Sequence, residues 1–193
     1  VAVAHISGCG NCISCRRGWD LHCKNKTTYA LDRDGFLSDY TLVDARDCVT
    51  LPPNISFEEG AFWACGAGTA WSAINRLNLP VGSILGVVGL GPVGAAAVLI
   101  ASKLGLRVIG FDPVAERREF AINLGAEKCY DPTKREELSV VLDELDGTFE
   151  ASGSSTGRNL CLDLLKVWGR SSFVGFADDE TTFDIHMQII EKQ

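Results

Sequence analysis

The sequence lacks any unbroken apolar run of the 18 or more residues that a membrane-spanning helix requires. Its longest glycine-rich apolar stretch, 81–100, is interrupted by Pro92 and by five glycines, and reads as strand, turn and helix. Positive charge is also in deficit, with 18 lysines and arginines against 25 aspartates and glutamates and a net charge of −7. That balance excludes the basic face a nucleic-acid partner demands. No stretch resembles a signal peptide, and there is neither an internal repeat nor a low-complexity segment. The expectation is a cytoplasmic, soluble protein with reduced thiols and no membrane partner. Its 193 residues, 46% of them hydrophobic, suffice for one good core or two modest ones.

What the sequence does contain begins with four closely spaced cysteines, Cys9-x2-Cys12-x2-Cys15-x7-Cys23. Three thiols at every third residue can wrap one ion from a single loop, and the fourth closes the coordination. Zinc accepts four thiolates as a closed tetrahedron, so such a metal is structural. Three other readings stand beside zinc. Disulfides suit short secreted scaffolds that are cysteine-dense throughout. An iron–sulfur cluster shares the C-x2-C-x2-C opening, but its fourth cysteine comes sooner and is trailed by proline, whereas Lys24 follows Cys23 here. The third is four unrelated thiols on a loop. A zinc tetrathiolate is doubly negative, and Arg16, Arg17, Lys24 and Lys26 either offset it or form an ordinary solvated basic surface.

The second feature is Gly89-x-Gly91-x-x-Gly94, between an apolar strand over 84–88 and an alanine-rich helix. In a dinucleotide site Gly89 permits the tight turn, Gly91 admits a pyrophosphate to the backbone, and Gly94 lets helix and strand pack closely. The helix N-terminus offers free amides to phosphate, and Pro92 suits its first turn. Alone the motif is often only a tight turn. Context strengthens it: a second strand over 106–111 ends at Asp112, near the spacing expected of a carboxylate that binds the ribose hydroxyls and repels a 2′-phosphate. That favours NAD over NADP, although Arg117 and Arg118 weaken the exclusion. Asp112 also reads as an ordinary N-cap with Pro113 at the first helical position.

The remaining pattern alternates as in a doubly wound parallel sheet. Helices are expected over 114–124 (stopped by Gly125), 135–145 and 156–167, with strands over 128–130, 147–152 and 170–176. Upstream, the alternation over 38–43 predicts a strand after a turn at 34–36. Ser56 with Glu59 predicts a capping box. A boundary near residue 60 separates a metal-bearing lobe, 1–60, from a nucleotide-binding domain, 61–193.

Taken in order, Val1–Val3, the four cysteines, Asp34-Gly35-Phe36, Glu59 through Thr69-Ala70, the GLGPVG run, Asp112 and Leu124-Gly125-Ala126 make the chain resemble the zinc-dependent medium-chain alcohol dehydrogenases over essentially its whole length. The resemblance implies a Rossmann sheet preceded by the structural-zinc lobe of a partial GroES-like β domain. It implies NAD, bound through Gly89, Gly91, Pro92, Val93 and Gly94. It further implies a hydride moved between an alcohol carbon and the nicotinamide, interconverting the alcohol with its aldehyde or ketone, with a second, catalytic zinc as Lewis acid.

By the same resemblance Cys65 matches a ligand of that catalytic zinc, against the alternative of inert packing on an apolar helix. Thr69 sits near the nicotinamide, Arg117 near the adenosine ribose and Val174 at the carboxamide, and Ser152 is a further cofactor candidate. Cys48, Cys129 and Cys161 read as small buried hydrophobes, while His5, His22 and His186 have no assigned role. The family's other catalytic-zinc ligands have no counterpart in these residues. The chain therefore reads as the middle of a longer enzyme, inactive alone, whose parent is a homodimer or homotetramer. The alternative is a non-catalytic zinc- and NAD-binding module.

Overall fold

The computed structural model describes residues 1–177 and 180–192. The chain divides into two compact units, Val1–Cys65 and Gly66–Gln193.

The first unit is built of very short elements: β1 (Ala2–Val3), β2 (Ile6–Ser7), α1 (Ile13–Arg16), β3 (Thr27–Thr28), β4 (Cys48–Val49) and α2 (Phe57–Phe62). Strand β1 pairs with β4 and β2 with β3, both antiparallel. The capping box is present: Ser56 Oγ accepts from the Glu59 amide, and Glu59 Oε2 accepts from the Ser56 amide at 2.8 Å. No strand forms over 38–43. Period-two alternation specifies a strand only where a neighbour completes its ladder, and among the described residues none does so. The segment instead folds on its own side chains, with Ser38 Oγ donating to the Tyr40 carbonyl at 2.8 Å and Thr41 Oγ1 to that of Gly35.

Residues Trp63–Ala67 form a π-helical stretch that leads into α3 (Gly68–Leu77). The second unit then continues with β5 (Ile84–Val88), α4 (Pro92–Lys103), β6 (Arg107–Phe111), α5 (Ala115–Leu124), β7 (Lys128–Tyr130), α6 (Arg135–Leu138), β8 (Leu145–Glu150), α7 (Ser155–Asp163), β9 (Leu165–Phe173) and α8 (Ile185–Gln188). Five strands form one parallel sheet in the order β7-β6-β5-β8-β9. This is the doubly wound arrangement expected of the sequence. Its core unites Leu85 and Val87 of β5 with Ala97, Val98 and Ala101 of α4, all fully buried. Small alanines bring that helix close to the sheet. Helix α5 stops at Gly125, whose φ of 115° supplies the left-handed cap that ends the helix.

Two helices end earlier than their periodicity suggests. After one turn α6 gives way to turns, where Ser139 Oγ bonds back to the Glu136 carbonyl and Asp143 takes a φ of 57°. Helix α7 stops at Asp163, and the Lys192 ammonium takes the carbonyls of Leu162 and Leu165 at 2.6 and 2.8 Å. The chain beyond enters β9, where Lys166 pairs with Asp146. Leu164 and Leu165 thus bury as part of the sheet layer, which a helical period mimics over so short a span.

Candidate functional site

In an open parallel sheet, ligands bind beyond the carboxyl ends of the strands where the strand order reverses. Here that point lies between β5 and β8, and a cavity of about 820 Å³ opens there. Its walls include Gly89 and Gly91 after β5, Asp112 after β6, Ser152 after β8, and Arg117 of α5.

The three glycines differ in why no side chain is present. Gly89 has a φ of 87°, and a Cβ there would lie 2.7 Å from Ser152 Cα. A Cβ on Gly94 would overlap the Gly89 carbonyl oxygen. Both glycines are therefore demanded by the fold itself. Gly91 is the opposite case: its φ is −68°, which any residue adopts, and a Cβ there meets nothing within 4 Å. Apart from its place as the N-cap of α4, nothing among the described residues needs a glycine at 91, so the open space serves what enters the cavity. Pro92 and Val93 follow as the first residues of α4; neither is among the lining residues, and Val93 packs against the core.

Asp112 is 3% exposed. Its Oδ2 accepts the Leu90 amide at 2.8 Å and its Oδ1 the Val114 amide at 2.9 Å. The carboxylate is thus fixed by backbone donors while retaining lone pairs toward the cavity. Helix α5 begins two residues later than an N-cap at Asp112 requires, with Val114 at the cap. Arg117 Nη1 stands 3.5 Å from Asp112 Oδ2, whereas Arg118 is engaged by the carbonyls of Asp112 and Pro113 at 2.7 and 2.8 Å.

Sequence reasoning missed Glu150. It ends β8 fully buried, and Oε1 accepts from the amides of Ser152 and Gly153 and from Ser152 Oγ at 2.6–2.8 Å. This carboxylate moulds the 151–153 loop on the cavity wall. Its Oε2 has no hydrogen-bond partner among the described residues, and a Cβ on Gly175 would come within 2.6 Å of it. The available signal was an acid directly after buried Phe149 at the end of a strand, just ahead of Ser152-Gly153. Val174 donates its amide to the Glu150 carbonyl at 2.9 Å and packs against the core, outside the cavity lining. Thr69 is exposed in α3 and is likewise not among the lining residues.

In the first unit the four cysteine sulfurs of Cys9, Cys12, Cys15 and Cys23 lie within 4.8 Å of one another. The Cys9 amide donates to Cys23 Sγ at 3.4 Å, and Cys12 Sγ is 3.4 Å from Cys15 Sγ. Amides of Asn11 and Cys12 lower the Cys9 thiol to about 6, whereas burial pushes Cys15 up to about 12 against the pull of the Gly10 amide. Four soft donors gathered from one loop suit a tetrahedral thiophilic ion. Among the described residues this is the one group of three or more side chains arranged to hold a metal, and Cys65, exposed on the π-helical stretch, is not part of it. Arg16, Arg17, Lys24 and Lys26 are exposed; Arg17 stacks on Trp19 and Lys26 caps the Leu21 carbonyl. Of the other cysteines, Cys161 is buried, while Cys48 and Cys129 are only partly so.

Comparison with known proteins agrees with this architecture. Residues 92–193 match the family model described as zinc-binding dehydrogenase. A zinc-type alcohol dehydrogenase-like protein of Escherichia coli K12 is 36% identical over all of this chain, which spans 57% of that protein's length. The alcohol dehydrogenase of Thermus sp. ATN1 superposes with a TM-score of 0.87 at 25% identity, covering 99% of this chain and 60% of its own. The alcohol dehydrogenase of Aeropyrum pernix gives 0.84 at 28% identity, covering 97% and 57%.

Proposed function

The chain belongs to the zinc-binding dehydrogenase family, and from that premise we propose that it binds NAD and one structural zinc ion in the service of an alcohol dehydrogenase-type oxidoreductase. In this reading the first unit is the zinc lobe of a partial GroES-like domain, and the second is the NAD-binding domain. The substrate is a small alcohol with its aldehyde or ketone, and the whole enzyme is a cytoplasmic homodimer or homotetramer. Eight free cysteines and the absence of a membrane-length apolar helix among the described residues support that setting.

The observation that carries the reading is the open space at Gly91 beside a backbone-fixed Asp112. When bound, the nicotinamide supplies the hydride acceptor and a catalytic metal supplies Lewis acidity. The residues present do the positioning. Gly91 and the amides of the α4 N-terminus receive the pyrophosphate. Asp112 accepts from the adenosine ribose hydroxyls, with Arg117 beside it, and Glu150 holds the Ser152 loop in place. Cys9, Cys12, Cys15 and Cys23 hold the structural zinc. Cys65 contributes one ligand to the catalytic metal, with Thr69 and Val174 toward the nicotinamide end.

A buried carboxylate facing a ribose penalises an added phosphate by charge repulsion. Asp112→Asn is therefore expected to shift the NADH-to-NADPH affinity ratio toward NADPH by about tenfold, or ~1.4 kcal/mol. Competitive fluorescence titration of the two reduced cofactors measures this; an unchanged ratio removes Asp112 from cofactor selection.

The second reading, a zinc- and NAD-binding module without catalysis, is favoured by the lack of any second ligand group around Cys65 among the described residues. The 193-residue chain supplied with zinc and NAD is accordingly expected to show no alcohol oxidation, and Cys65→Ser to leave its zinc content unchanged. Steady turnover by the chain alone overturns that expectation.

A further inference from the structure

The cation that reaches the cysteine cluster is not one of those in the cysteine loop. Arg46, from the turn Ala45–Asp47 ahead of β4, extends its guanidinium over the loop. A Cβ on Gly10 would collide with Arg46 Nη1, so the guanidinium lies against the backbone between Cys9 and Cys12. Nη2 pairs with Asp20, inside the excursion between Cys15 and Cys23, and Nε faces Asp47 Oδ1 at 3.9 Å. Asp47 is itself held, 6% exposed, by the Tyr29 hydroxyl at 3.0 Å. The region is tightly fitted: a Cβ on Gly8 would overlap Asp20 and lie 2.6 Å from Cys15 Sγ. The guanidinium is thus fixed from two sides by carboxylates and laid against the cysteine loop at Gly10.

The geometry points to Arg46 as the positioning residue of the metal centre, setting its charge against the Cys9–Cys12 loop at Gly10 and locking the Asp20 excursion that brings Cys23 into the set. The inference rests on the metal reading of the four cysteines. A cation held against the loop lowers the energy of the thiolate electrons beside it, weakening their tendency to take up protons or electrophiles. Arginine suits the place because its planar fork meets two carboxylates at once, which a lysine ammonium on its flexible stem does less well. Partners of metal ligands, when removed, commonly cost 10–100-fold in metal affinity.

The test uses the full chain loaded with cobalt(II), whose sulfur-to-metal charge-transfer band reports electron donation by the thiolates. Arg46→Gln is expected to move that band to lower energy, and zinc transfer from the zinc-loaded variant to a chromogenic chelator to accelerate about tenfold. Arg46→Lys is expected to shift the band the same way by less, and it decides the question if Arg46→Gln does not retain cobalt. A purely structural role for Arg46 would alter retention without moving the band. A band at the parent's energy in both variants, or in Arg46→Lys where it alone retains cobalt, overturns the role of Arg46. A parent chain that gives no tetrahedral thiolate spectrum overturns the metal reading, and this inference with it.

Discussion

Gly91→Ala is expected to weaken NADH binding by about tenfold to a hundredfold, or ~1.4–2.7 kcal/mol, while leaving the chain folded. The added methyl meets no protein atom within 4 Å, and the φ of −68° suits alanine. The folding cost is only that of a poorer helix cap, about half a kcal/mol and a degree or two in melting temperature. The whole penalty thus falls on whatever occupies the cavity. Gly94→Ala is the converse control. Its methyl would overlap the Gly89 carbonyl oxygen, a backbone atom that cannot step aside. It is expected to cost about 3 kcal/mol or more in stability, and to lose binding as a consequence of the damaged turn. Thermal melts and fluorescence titration on the two variants separate these outcomes. A Gly91→Ala chain that binds NADH like the parent would show that the open space serves something other than a pyrophosphate.

That contrast also shows what the sequence could and could not convey. The strand over 84–88, Pro92 at the first turn of α4 and the cap at Gly125 follow from local chemistry: an apolar run, a residue without an amide proton, and a left-handed terminus. Such features need no knowledge of distant residues. The elements that departed from expectation all depend on remote partners. Alternation over 38–43 yields no strand because no neighbour completes a ladder among the described residues. Helix α7 yields to β9 where the distant Lys192 takes carbonyls at its end. Glu150 acquires its role only once the loop after β8 folds back onto its side chain. In the same way the sequence placed basic side chains beside the cysteines, yet the one laid against their loop is Arg46, much further along the chain. The spacing of the four cysteines was legible; what surrounds them was not.

Removing the metal is expected to produce the largest effect of all, confined to the first unit. Across Val1–Cys65 the only buried apolar side chains are those of Cys23 and Tyr29, at 4% and 3% exposure. Strands of two residues and a helix of four contribute few backbone hydrogen bonds. A unit of this size ordinarily needs a hydrophobic core, disulfides or a metal, and its cysteines are free. Structural zinc in small tetrathiolate-type sites supplies an apparent 10–16 kcal/mol near neutral pH, roughly the entire folding free energy of such a unit. Chelator-stripped chain should therefore lose hydrogen-exchange protection throughout 1–65 while the parallel sheet of the second unit, with its own buried core, keeps its protection. Cys23→Ser should reproduce the loss with zinc in solution, because a buried hydroxyl replaces the thiolate that closes the set. Metal analysis of the parent should return one zinc per chain. Protection of 1–65 that survives both chelation and Cys23→Ser would mean that something other than a tetrathiolate metal holds these residues, and no apolar core is present to take its place.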